Sequence, residues 1–198
     1  MSSRIALARD AGWLSEEPVL WLNAPGNIDP DVLGAGGATL VQPLKPDHDL
    51  LISKGYATSS NIPDQTFAGS IVTLPRSRDY ARALMAEATR QTSGPVLVDG
   101  QKTDGVESML KAVKSRTAVE GSVSKAHGRA FWFPSTDLSD WREQKSEIDG
   151  FATRPGVFSA GAIDPGSKLL ADTLPKKLGA KVADFGAGWG YLSKAILE

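Results

Sequence analysis

Lys181-Val182-Ala183-Asp184-Phe185-Gly186-Ala187-Gly188-Trp189-Gly190 decides how the rest of this 198-residue chain is read. The stretch predicts a short apolar strand ending near Asp184, a loop with glycine at 186, 188 and 190, and a helix from Tyr191 to Leu197. Glycines leave the main chain uncovered, so a ligand can approach its N–H groups. The N-terminus of the following helix adds a partial positive charge. Asp184 stands at the strand's end, facing the same crevice. A dinucleotide fingerprint reads G-x-G-x-x-G and keeps its acid about 20 residues later. Here the order is D-x-G-x-G-x-G, with the third glycine one residue early and the acid in front. The spacing also suits a strand-to-helix turn whose glycines serve only tight packing.

The D-x-G-x-G-x-G string resembles the first motif of class I S-adenosylmethionine (SAM) methyltransferases, in which the loop wraps the methionine part of SAM. The sequence ends at Glu198, soon after this loop. A doubly wound sheet needs several more βα units to hold a cofactor. The expectation is therefore a truncated second domain behind a separate first one.

Upstream, Ile5, Leu7, Ala8 and Ala11, followed by Trp13 and Leu14, predict a short helix within residues 1–17, closed by Pro18. Val19–Leu22 is a continuous apolar run, as in a strand buried on both faces. Asp29-Pro30 reads as a helix start. Further strands are expected at 38–42, 70–74 and 94–99, with a short helix near 47–54. A helix capped by Ser77 carries an apolar face of Tyr80, Ala81, Leu84, Met85 and Ala88. Asp104 with Glu107 predicts a capping box for a helix burying Val106, Met109, Leu110 and Val113. Residues 118–124 and 129–133 read as two successive strands. The predicted fold is α/β: a mostly parallel sheet with helices on both faces and an antiparallel hairpin at one edge. Class I methyltransferases also end their sheet with such a hairpin, so the first domain resembles a methyltransferase in outline.

That first domain lacks the cofactor loop. Trp21-Leu22-Asn23-Ala24-Pro25-Gly26-Asn27 can be set against Asp184–Gly190, so that Trp21 stands at the acid, Asn23 and Pro25 at the first two glycines, and Asn27 at the third. Pro25 has no N–H, and its ring fills space that bare backbone would leave open. A degenerate, methyltransferase-like domain over 1–135 is expected, then a polar linker over 136–150, then the beginning of a catalytic domain over 151–198.

The stretch 154–193 narrows the resemblance. Pro155-Gly156-Val157-Phe158-Ser159, then Asp164, Gly166-Ser167, Leu169-Leu170 and the D-x-G-x-G-x-G strand together resemble the ribosomal RNA small subunit methyltransferase C family. Its members are tandem duplications: an N-terminal copy without SAM precedes a catalytic copy that methylates N2 of a guanine in small-subunit rRNA. The resemblance implies that Gly186, Gly188 and Gly190 contact SAM through backbone, with Asp184 near its amino or ribose end. It also implies that Phe158, Ser159, Asp164 and Ser167 line the cofactor crevice. The family's later Asn-Pro-Pro-aromatic motif, whose acceptors orient the target amine, is not in this sequence. No catalytic residue is therefore expected before Glu198. The 198 residues alone are expected to be inactive and not to retain SAM.

Basic residues at Lys111, Lys114, Arg116, Lys125 and Arg129 form a candidate rRNA-facing patch, or else a solvated helix face and a guarded edge strand. Arg154 is a further candidate for substrate contact. His48 and His127 have no second ligand at metal spacing, and there are no cysteines, so no metal is expected. A net charge of −1, 41% hydrophobic residues and no long apolar run indicate no general affinity for polyanions or membranes. No signal-peptide pattern is present at Met1–Arg4, and a cytoplasmic location is expected. The unsatisfied apolar residues of the tail (Leu169, Leu170, Val182, Phe185) suggest docking on the first domain or homodimer formation. The alternative function is a non-enzymatic RNA- or protein-binding module with a vestigial SAM-loop tail.

Overall fold

The computed structural model describes residues 2–13, 18–28, 30–33, 38–143, 146–175 and 177–197. Leu14 of the expected first helix and Asp29 of the expected helix start lie outside them. The chain divides into two compact units, Met1–Arg142 and Glu143–Glu198.

The first unit is built on a seven-stranded sheet. Its strands are β1 (Val19–Leu22), β2 (Ala38–Val41), β3 (Thr58–Ser59), β4 (Gly69–Thr73), β5 (Pro95–Gln101), β6 (Gly121–Lys125) and β7 (Gly128–Pro134). They are ordered β3-β2-β1-β4-β5-β7-β6. The first five are parallel, and β7 is antiparallel to both β5 and β6. This is the mostly parallel sheet with an antiparallel edge hairpin that the sequence predicts. The two-residue β3 was not legible, because Thr58-Ser59 carries neither an apolar run nor alternation.

Side chains alternate across the strands and divide the core into two layers. Leu20, Leu22, Val72, Val96, Val98, Phe131 and Phe133 pack with α3 (Arg78–Gln91) and α4 (Val106–Lys114). On the opposite face Trp21, Leu40, Ile71, Leu97, Ala130 and Trp132 pack with Ile5 and Ala8 of α1 (Ser2–Asp10) and Leu51 of α2 (Lys45–Ser53). Helices thus cover both faces. Leu138 and Trp141, within the stretch read as a linker, are buried in the first of these layers. Trp141 lies between two guanidinium groups, Arg82 at 5.2 Å and Arg116 at 4.7 Å from its ring centre.

Ser77 caps α3 as expected, accepting from the Tyr80 N–H at 3.4 Å. The capping box expected at Asp104 is corrected. Asp104 accepts from the Gln101 N–H at 3.1 Å and closes a 3-10 turn over Lys102–Asp104. Gly105, at φ +79°, then starts α4 with no side-chain cap. Glu107 instead pairs with Arg129 at 3.0 Å. A 3-10 turn placed before the helix moves the acid too far upstream to reach the helix's own N–H groups.

One polar pair crosses the core. Arg4 of α1 donates to both carboxylate oxygens of Asp99 on β5, at 2.5 and 3.0 Å, and to the Lys125 carbonyl at 3.0 Å. Both side chains are out of solvent. A Cβ on Gly128 would lie 2.5 Å from the Arg4 guanidinium, so the pair and the glycine require each other. Burial pushes the Asp99 carboxyl up from its ordinary value, against the opposing pull of Arg4.

The second unit holds the two-stranded pair β8 (Ser146–Ile148) and β9 (Phe151–Thr153), then α5 (Pro165–Thr173) and α6 (Tyr191–Leu197). α5 and α6 are the expected helices. The strand expected before the glycine loop is corrected: residues 181–184 are not a strand. Val182 and Phe185 are 51% and 96% exposed. A central parallel strand needs neighbours on both sides for its N–H and C=O groups, and the described residues of this unit supply none.

Candidate functional site

The second unit gathers distant parts of the sequence around one cleft of about 60 Å³. Phe158, Ser159, Asp164 and Ser167 line one side, and Gly186, Gly188, Trp189 and Tyr191 the other. Asp164 is the N-cap of α5. Its Oδ2 accepts from the Ser167 N–H at 2.8 Å and the Ser167 hydroxyl at 3.2 Å, which fixes both side chains at the rim. Ser159 adopts φ +55°, and this turns the chain at the cleft's edge.

Gly186, Gly188 and Gly190 have φ of +78°, +59° and +97°. Each is in the region that side-chain-bearing residues avoid, so the loop's path requires glycine there. The Gly190 N–H closes a turn on the Ala187 carbonyl at 2.9 Å, and its own carbonyl receives the Lys194 N–H at 2.9 Å. Gly190 and Asp184 are not on the cleft wall. Gly190 backs onto the Phe151 ring, which a Cβ would meet at 3.4 Å. Asp184 accepts from the Ser193 hydroxyl at 2.8 Å and so ties the loop's entry to α6.

Sequence reading missed the residues between the glycines. Trp189 packs edge-on against Phe151 at 5.0 Å and Tyr191 at 5.9 Å, which anchors the loop to β9. The aromatic pair flanking Gly190 was the available signal. Arg154 is exposed and pairs with Glu143 at 3.6 Å, and it does not line the cleft.

The corresponding place in the first unit is the loop after β1, and there the main chain is occupied by side chains. The Gly26 N–H donates to Asp47 Oδ1 at 3.0 Å, and Gln42 donates to the Ala24 carbonyl at 2.9 Å. Lys54 Nζ reaches the Gly26 and Ile28 carbonyls at 2.6 and 3.3 Å. A Cβ on Gly26 would meet Asp47 at 2.9 Å and Leu50 at 3.0 Å. Asn23 turns at φ +57°, with its amide on the Thr73 carbonyl at 2.9 Å. The loop after β1 is sealed by α2 and by residues flanking it.

The candidate basic patch separates into paired and free groups. Arg116 makes a two-pronged contact with Asp140 at 2.8 and 2.7 Å, which holds that exposed carboxyl below its ordinary value. Arg129 is engaged with Glu107. Lys111, Lys114 and Lys125 are exposed. Among the described residues there is no group of three or more metal-ligating side chains, and no helix is long and apolar enough to cross a membrane.

A family profile described as Methyltransferase small domain matches residues 149–198. Ribosomal RNA small subunit methyltransferase C of Shewanella sediminis is 30% identical over 223 residues, covering 97% of this chain and 62% of that protein. Its counterpart in Shewanella halifaxensis is 28% identical over 214 residues, with the same coverage. The chain thus spans about 62% of the length of these relatives. Among solved structures, the T. thermophilus 16S rRNA N2 G1207 methyltransferase (RsmC) in complex with AdoMet and guanosine superposes with a TM-score of 0.60. The identity is 18%, and the match covers 85% of this chain and 51% of that one. Thermoplasma acidophilum 1320 gives a TM-score of 0.52 at 14% identity, over 68% of this chain and 86% of that one. At these identities the superpositions establish a methyltransferase-like fold.

Proposed function

The chain is a relative of the ribosomal RNA small subunit methyltransferase C family over nearly all its length, and from that premise we propose that it forms the N-terminal portion of a SAM-dependent rRNA guanine-N2 methyltransferase. In this reading the first unit, Met1–Arg142, is a methyltransferase-like domain that holds no SAM, and Glu143–Glu198 begin the catalytic domain. The carrying observation is the cleft of the second unit, where Phe158, Ser159, Asp164 and Ser167 meet Gly186 and Gly188.

These residues fit SAM in kind. Backbone N–H groups at positive-φ glycines suit a carboxylate, and the Trp189 and Tyr191 rings suit an apolar or aromatic group. When bound, SAM supplies an electrophilic methyl group. Asp164 and Ser167 hold the rim, and Trp189 holds the loop. The cleft of about 60 Å³ falls short of the ~300 Å³ or more of a typical small-molecule pocket. That supports the view that the rest of the site comes from a fuller second domain and that these residues alone transfer no methyl group. The sealed loop after β1 supports a first domain without cofactor.

The test is methyl transfer from labelled SAM to small-subunit rRNA. A longer chain carrying a complete second domain is expected to label guanine N2, and the 198-residue chain is expected to label nothing. Transfer by the short chain, or none by the long one, contradicts the proposal.

A further inference from the structure

With the loop after β1 sealed, the open ground at the same end of the first unit's sheet lies beyond β4 and β5. A cleft of about 150 Å³ opens there between the start of α3 and the start of α4. Its lining carries Arg76 and Arg78, one carboxylate (Asp104) and the small residues Ala81, Gly105, Ser108 and Ala112. Both arginines are exposed. The nearest carboxylate to Arg76 is Asp104, at 4.0 Å, and Asp104 already accepts from the Gln101 N–H. Among the described residues no carboxylate stands within ion-pair distance of Arg78, Lys102 or Lys125.

The sheet brings those lysines to the same edge. Lys102 follows the last residue of β5, and its N–H binds the His127 carbonyl at 3.1 Å. Lys125 ends β6 and pairs with Gly128, which in turn faces Gln101. Four cations therefore stand along one edge of a protein whose net charge is only −1. Elsewhere on the unit Arg90, Arg116 and Arg129 are each neutralised by a carboxylate.

Resting on the methyltransferase reading, we infer that this edge grips the rRNA backbone, with Arg76 and Arg78 flanking a phosphate in the cleft and Lys102 and Lys125 following the strand. A guanidinium offers planar, forked donors that match phosphate oxygens. Among the described residues Arg78 has no carboxylate partner to give up, and Arg76 exchanges only its 4.0 Å contact with Asp104. The small lining residues leave room for a phosphate between them. The surface reads charge and no base, so it contributes affinity and orientation and leaves the choice of guanine to the second domain.

The experiment measures binding of in vitro transcribed small-subunit rRNA to the full chain over a range of salt concentrations. The Arg76→Gln/Arg78→Gln variant is compared with the unaltered chain and with Lys111→Gln/Lys114→Gln on the outer face of α4. The arginine variant is expected to lose roughly 10-fold or more in affinity and to lower the salt slope by about 2, as for two lost phosphate contacts. The α4 variant is expected to change little. The arginine side chains are exposed, and an unchanged circular dichroism melt confirms that the fold is kept. Equal binding by the arginine variant overturns the assignment while leaving the methyltransferase reading standing. Absence of binding by the unaltered chain overturns it too, and methyl transfer by the longer chain then decides that reading separately.

Discussion

Arg4 and Asp99 show what a single residue can cost this fold. Both are fully buried, and the geometry satisfies three of the guanidinium's N–H directions. Burial nevertheless outweighs Arg4 in setting the Asp99 carboxyl, which lies above its ordinary value. The sign follows. The folded state holds this proton more tightly than the unfolded chain, so Asp99 takes stability away as pH rises from the ordinary carboxylate value through the raised one. Such a pair is weak evidence of stabilisation, yet breaking it is severe. Asp99→Asn, which leaves a buried cation with its charge unmatched, is expected to lower unfolding free energy by about 3–5 kcal/mol in urea denaturation. The double variant Arg4→Met/Asp99→Leu is expected to lose less than either single change, and a larger, additive loss contradicts this account. The pair was invisible in the sequence, because the partners stand far apart and nothing local marks Arg4 as buried. Gly186, Gly188 and Gly190 were legible for the opposite reason: their spacing is local, and all three adopt the backbone conformation that demands glycine.

Elements were readable where their periodicity was complete. α3 and α4 bury the faces the sequence marks, β1 is a continuous apolar run buried on both sides, and β4 and β5 fall where their Ile71-Val72 and Val96-Leu97-Val98 segments predict strands. Reading failed where an element depends on what surrounds it. Residues 181–184 have the composition of a strand, but a strand is a paired object, and Val182 and Phe185 stand exposed. Asp104 illustrates the same limit at a helix start, where a 3-10 turn took the acid for itself. The cleft was readable to a similar degree. Six of its wall residues could be named beforehand, whereas Trp189 and Tyr191 owe their place to packing against Phe151 and to the turn at Gly190. If 181–185 is a strand waiting for neighbours, its amides should exchange with solvent within seconds in this chain. In a chain with a complete second domain they should be protected by orders of magnitude, as in a core strand. Slow exchange at Val182–Phe185 in the short chain contradicts the expectation.

In the molecule as a whole, the two units differ in what they leave open around their loops. The first has a complete sheet of methyltransferase-like topology and a loop after β1 whose main-chain groups are taken up by Asp47, Gln42 and Lys54. The second has the open glycine loop, whose residues line a cleft with Phe158, Ser159, Asp164 and Ser167. The chain spans about 62% of the length of the two Shewanella relatives, and the profile match falls on the second unit alone. In the proposed reading, SAM is held by one of two related domains and not by the other. The most direct measurement is the stoichiometry of SAM binding by calorimetry, on a chain carrying a complete second domain and, beside it, on residues 1–142. The account predicts one SAM per long chain and none on residues 1–142. Two sites on the long chain, or micromolar affinity in the first unit alone, would contradict it.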